Sequence, residues 1–143
     1  MLTELCAEIR NYFLRGDNDI HAGSYEIKDG SLVLPFLLDG QYFRIVGSAL
    51  NDGVYQYPAE GLIDESFAGA VWAMAVPPVV IALSREIDDW NEKNADVINS
   101  PYTSESFGNY SYSKSAGSQG GGVLTWQDQF RSQLNPYRRL SVL

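Results

Sequence analysis

The chain of 143 residues is poor in the groups from which most enzyme sites are built. It has one cysteine, Cys6, and one histidine, His21. A single thiol excludes an intramolecular disulfide and suits synthesis in a reducing compartment. Its place among Leu2, Leu5 and Ile9 reads as that of a small buried hydrophobe. One Cys and one His cannot supply the usual tetrahedral zinc set. A Ser-His-Asp or Cys-His arrangement would have to rest on His21, in the polar stretch GDNDIHAG, where a histidine is ordinarily a surface residue. Basic residues are also few: 10 Lys and Arg against 18 Asp and Glu give a net charge of −8. That balance argues against a nucleic-acid-binding surface, because neutralising phosphates needs clustered Lys and Arg. Long apolar runs are missing too. The most apolar stretch, AGAVWAMAVPPVVIAL, has 16 residues and two prolines, short of a membrane span. MLTELCAEIR lacks the basic and apolar regions of a signal peptide, so a soluble protein is expected.

The motifs of bound ions and phosphates fail residue by residue. DNDIHAGSYE spaces Asp17 and Asp19 like the first ligands of a calcium loop, but His21, Ala22 and Lys28 stand where a ligand, a glycine and a glutamate are needed. GSQGGG has no following Lys-Ser/Thr and no preceding buried strand, so it is not a phosphate loop. Asp64-Glu65 and Asp88-Asp89 fall where helix caps and solvated faces place acids in any case. No metal, cofactor or catalytic residue is assigned from these patterns, and no enzymatic activity is expected.

What the chain does have is 45% hydrophobic residues, enough for a core. LTELCAEIRNYFL places Leu2, Leu5, Cys6, Ile9 and Phe13 on one helical stripe, ended by Gly16. From residue 23 the period becomes two, and Asp29-Gly30, Asp39-Gly40 and Asp52-Gly53 each sit between β-rich runs. The pattern predicts a four-stranded antiparallel meander over 24–28, 31–37, 41–48 and 54–57, closed by Pro58. Asp64 then reads as the N-cap of a helix over ESFAGAVWAMA, with Phe67, Val71, Met74 and Ala75 on one face. Pro77-Pro78 interrupts it, and a second helix starts there and runs through VVIALSREIDDWNEKN; a single longer helix kinked at the prolines is the alternative. Val80, Ala82, Leu83, Ile87 and Trp90 line its buried side, and Arg85, Glu86, Asp88, Asp89 and Glu92 its solvated one. Trp72, Met74, Leu83, Ile87 and Trp90 are expected to pack on the apolar face of the meander with Phe43 and Ile45. The fold class is thus α+β, with a core domain over 1–96, an extended arm over 97–122 and a C-terminal docking segment over 123–143. In that last segment Trp126, Phe130 and Leu134 recur every four residues, as a short helix or a strand would place them.

The arm SESFGNYSYSKSAGSQGGG is too rich in Gly and Ser to order cheaply, yet it keeps Phe107, Tyr110 and Tyr112. Tyrosine suits a partly wet interface, since one end is apolar and the other hydrogen-bonds. The arm therefore reads as made to lie on another copy or a partner, the alternative being an aromatic-flecked loop. Charge divides in the same region. Residues 1–108 hold 17 acids and 6 bases, a net of −11, and residues 109–143 hold 1 acid and 4 bases, a net of +3. Opposite halves of this kind attract within one chain or between copies.

Residues 40–140 carry GQYFRIVGSALNDGVYQYP, FAGAVWAMAVPPVVIAL, the acidic EIDDW, YTSESFGNYSYS, a Gly-rich break and LNPYRRL, in that order. This order resembles head–tail connector (adaptor, head-completion) proteins of tailed bacteriophages. The resemblance implies a structural protein of the virion neck, made in the bacterial host cytoplasm. Such proteins form a homo-oligomeric ring, typically of twelve copies, which binds the portal protein and a tail-side neck or stopper protein. Duplex DNA passes through the lumen without specific binding, and no membrane is involved. It further implies assembly contacts through Ser106, Phe107, Tyr110 and Tyr112 in the arm. Trp126, Tyr137, Arg138 and Arg139 would be the corresponding contacts at the C-terminus. The alternatives are a tail-completion or tail-terminator ring docked on the tail tube, and a small binding module or enzyme. Many such connectors are almost wholly helical, whereas the first half of this chain reads as β. If the arm orders only on assembly, limited proteolysis of a verified monomer should cut first between about residues 100 and 122. Protection there in the monomer would contradict the expectation.

Overall fold

The computed structural model describes residues 1–95 and 125–141. They fall into two compact units, one made of residues 2–78 with 139–141 and the other of residue 1 with 79–95 and 125–138. The first unit opens with helix α1 (Leu2–Ile9) and a 3-10 turn at Asp17–Asp19. Four strands follow: β1 (Ile20–Ile27), β2 (Tyr42–Val46), β3 (Gly53–Gln56) and β4 (Glu65–Ala73). They form one antiparallel sheet in the order β1-β4-β2-β3. The α+β class, the N-terminal helix and the four-stranded antiparallel sheet are those the sequence implies. The strand assignment differs in two places.

The first difference is β4. Residues 65–73, expected as a helix, form the longest strand, and it lies between β1 and β2, so the sheet is not a meander. The segment satisfies both periods: Phe67 and Val71 are four apart, but Phe67, Gly69, Val71 and Ala73 also alternate with Ala68, Ala70 and Trp72. Alanine favours the helix locally, but partners on both sides outweigh that preference for a central strand. Two faces follow. Phe43, Ile45, Phe67, Val71 and Ala73 build one core with Ile27, and the residues between them build the other. Trp72 and Met74 belong to that second core with Cys6 and Tyr12. The expected packing of Trp72 and Met74 with Phe43 and Ile45 is therefore wrong, because alternation sends the two pairs to opposite faces.

The second difference is residues 31–37, which are not a strand. Only Ser31 bridges back, to Lys28, across the Asp29-Gly30 turn. Both turn residues have positive φ, 56° and 77°, as a tight hairpin turn needs. The segment then leaves β1, whose pairing side is taken by β4. Leu32, Leu34 and Leu37 are buried on the first face, while Pro35 has no N–H to give a ladder. Helix α1 also stops earlier than its apolar stripe. Arg10 takes a left-handed conformation (φ 55°), with Asn11 N–H bonding Cys6 C=O and Arg10 N–H bonding Ala7 C=O, a Schellman end that turns the chain at Ile9.

The second unit holds helix α2 (Pro78–Lys93), which begins at the double proline. Val80, Leu83 and Ile87 are buried and Arg85, Glu86, Asp88, Asp89 and Glu92 exposed, as their spacing implies; Ala82, expected inside, is exposed. Beyond residue 124, Trp126, Phe130 and Leu134 fall on two short helices, α3 (Trp126–Gln129) and α4 (Arg131–Leu134), with Phe130 and Leu134 buried. The rings of Trp90 and Phe130 meet edge to face at 6.1 Å. No helix of the described residues is long and apolar enough to cross a membrane.

One crossing fixes the sheet. At the end of β2 the chain turns through Gly47 (φ 92°) directly over Gly69 in the middle of β4. A Cβ on Gly69 would run into the Val46 carbonyl oxygen, which is backbone and cannot swing away. Gly23, its partner across the β1–β4 ladder, has nothing within 4 Å of the same position. Gly69→Ala should therefore cost about 1–3 kcal/mol or more, the range of overpacked sites. Gly23→Ala should change stability by no more than about 0.5 kcal/mol. Denaturant melts of the two variants check this, and equal stabilities would refute the crossing.

Candidate interaction surfaces

The two acids that open β4 each hold a turn. Asp64 accepts N–H bonds from Asp29 (3.1 Å) and Gly30 (2.8 Å). The Asp64 carboxylate thus caps backbone amides, as expected, but those of a hairpin turn rather than of a helix. Glu65 accepts from the Ser48 hydroxyl (2.6 Å), the Ala49 and Leu50 amides (3.2 and 3.1 Å) and the Asn51 side chain (2.9 Å). Asn51 in turn receives the Ile63 N–H and donates to the Ile63 C=O, both at 2.9 Å. Its own carbonyl takes the Tyr55 hydroxyl, and Asp52 takes the Ser48 N–H. Ser48 and Asn51 are buried, and the loop from β2 to β3 is tied to the strand beside it through side chains alone. Four donors on one carboxylate favour its ionised form, with the Ser48 hydroxyl the largest contributor, so Glu65 titrates below the usual range for a glutamate. Leu50 of this loop and Ile63 of the segment before β4 are each 54% exposed.

On the second face of the sheet, Arg44 of β2 lies over two aromatic rings. Its guanidinium carbon is 4.0 Å from the centre of the Tyr12 ring and 4.5 Å from that of Trp72, and the two rings meet edge to face. Cation–π contacts of this kind keep a charge next to apolar surface. Burial pushes the nearby Cys6 thiol up to about 12, with Arg44 opposing the rise, so this thiol is protonated and inert. Beside Tyr12 is a groove of about 260 Å³ lined by Leu14, Arg15, Asp17, Ile20 and Arg139. Arg15 is held there by Asp19 through its amide (2.8 Å) and its guanidinium (3.3 Å), and the amide bond leads the causes that keep the Asp19 carboxyl low.

Of the residues expected to carry assembly, Ser106, Phe107, Tyr110 and Tyr112 lie outside the described residues. Trp126 begins α3, half-buried, behind a Thr125 cap whose hydroxyl accepts the Asp128 N–H. Tyr137 ends a 3-10 turn and is half-buried, whereas Arg138 and Arg139 are exposed. Arg139 is anchored by its backbone, its N–H bonding Ile9 C=O at 2.8 Å, and the Leu140 carbonyl takes the Arg10 guanidinium at 2.9 Å. His21 lies within β1, which starts at Ile20 rather than at 24; it is half-buried, not on the surface, and stacks on Phe36, ring centres 3.8 Å apart. Among the described residues no three His, Cys, Asp or Glu side chains gather as metal ligands would. The Glu65 tie and the apolar pair it presents have no recognisable motif. Their trace in the sequence is a leucine inside a turn, SALNDG.

Because the Glu65 pKa is lowered in the folded protein, its contribution is complete above the ordinary glutamate value and is lost as pH falls through the folded one. Melting temperatures of the wild type and Glu65→Gln between about pH 3 and 7 should therefore lie furthest apart at neutral pH and converge on acidification. Parallel curves would show that the tie does not depend on the charge. Compared with protein-family models, with curated proteins and with solved structures, the chain matches none.

Proposed function

We propose that the protein is a structural, non-enzymatic component of a tailed-phage neck. In this reading it forms a ring between the portal and the tail-side proteins, through which DNA passes. The order of motifs from GQYFRIVG to LNPYRRL supports the reading, and the observation that carries it is the division of charge. Residues 2–78 hold 11 acids and 4 bases, while Arg138 and Arg139, near the other end of the chain, are exposed. Exposed basic residues in a chain with so acidic a body suit contact between copies, and an acidic lumen would repel phosphates and favour sliding over sticking. Screening over ~8–10 Å at physiological salt confines that repulsion to the wall. A tail-terminator ring would share these features and dock instead on the tail tube.

The reading predicts particles with a central channel by electron microscopy, alone or with portal protein, and no tight binding to duplex DNA. Changing Arg138 and Arg139 to glutamate should weaken assembly most at low salt, although each exposed pair contributes only ~0.2–1 kcal/mol. A wild type that stays monomeric with and without portal, or that binds duplex DNA tightly, would overturn it.

A further inference from the structure

The tie built on Glu65 calls for an explanation beyond stability. Ser48 and Asn51 are buried and hydrogen-bonded, yet each intramolecular bond returns only a modest net gain over solvation by water. What the network secures is a fixed β2–β3 loop joined to the segment before β4, and the two display one aliphatic side chain each to solvent, Leu50 and Ile63. Asn51 bonds both backbone groups of Ile63 and is the chain neighbour of Leu50, so the backbones that carry the two side chains are held close together. Ordering a surface before it binds removes an entropic cost from association. Their near neighbours in the chain are acidic and exposed: Asp52, two residues after Leu50, and Asp64, next to Ile63. The opposite combination stands elsewhere on the same unit. Leu140 is 94% exposed, follows Arg139 in the chain, and has its carbonyl held by Arg10. Both arginines are exposed, and the backbone beneath is pinned by the bond from Arg139 N–H to Ile9 C=O.

We infer that the Leu50–Ile63 pair receives Leu140 of a second copy, with Arg10 and Arg139 meeting Asp52 and Asp64. An apolar centre inside a rim of opposite charge is the usual anatomy of a specific protein contact. The two halves are different residues of one chain, so wherever one partner cannot engage both at once the contact runs head-to-tail, and repeating it closes a ring or extends a filament. The inference deepens the ring reading above and rests on it.

The experiment uses Leu50→Asp and Leu140→Asp. Both positions are exposed, so thermal melts should match the wild type and separate loss of contact from loss of fold. By analytical ultracentrifugation each variant alone should associate at least ten-fold more weakly than wild type. Mixed in equal amounts they should form a 1:1 pair and grow no further, because one retains the inserting leucine and the other the receiving pair. Wild-type-like assembly of either variant alone, or a mixture that stays monomeric while the wild type assembles, would overturn the inference. Rings that persist in both variants would sink this contact and leave the ring reading standing. A wild type that never self-associates would remove both.

Discussion

The close passage of β2 over Gly69 is the constraint on which the sheet depends. Strand β4 has neighbours on both sides, so its centre must accept the β1 backbone at Gly23 and the turn at Gly47 within a few ångströms. A side chain there would push Gly47 away and with it the loop that Glu65 holds. The rest of β4 is organised around that point. The carboxylates of Asp64, just before it, and Glu65, its first residue, pin two turns, and its last positions, Val71 to Ala73, feed both cores in alternation. One segment thus sets the strand order, the loop conformations and the division of apolar residues between faces.

Much of this was legible in the sequence, and the remainder was obscured for physical reasons. The double proline and the run of exposed charges after it located α2, since proline suits a first turn and the apolar positions then recur at helical spacing. Of the Asp-Gly pairs, Asp29-Gly30 marked a hairpin turn; Asp39-Gly40 is a turn that leads into β2, and Asp52-Gly53 follows the turn at 49–51, with Gly53 opening β3. The misreading of β4 arose because ESFAGAVWA is rich in alanine and fits both periods, and only Gly69 spoke against a helix. Residues 31–37 looked like a strand because Leu32 and Leu34 alternate with exposed Val33 and Pro35, yet that alternation serves a segment lying over a core without pairing. The end of α1 at Ile9 was hidden because an arginine, not a glycine, takes the left-handed position.

The surfaces were less legible than the fold. Arg138 and Arg139 could be singled out as basic residues near a terminus, and both are indeed exposed. The pair Leu50 and Ile63 could not, because it exists only once Asn51 reaches across 12 positions to Ile63. Arg44 gave no signal either: an arginine in the middle of YFRIV reads as the polar side of a strand, whereas its charge lies over Tyr12 and Trp72.

The strand order has a consequence for how the chain is made. The central strand of the sheet is the last to be synthesised, so a nascent chain that ends before Glu65 has a β2–β3 hairpin and a β1 with nothing to pair with. During that interval β1 shows a bare edge whose middle, Ala22-Gly23-Ser24, has no charge or proline to discourage pairing with a stranger. Contacts of such long sequence separation also form slowly. Pairing with β4 covers one edge of β1 and completes the ladder, while its other edge stays the rim of the finished sheet.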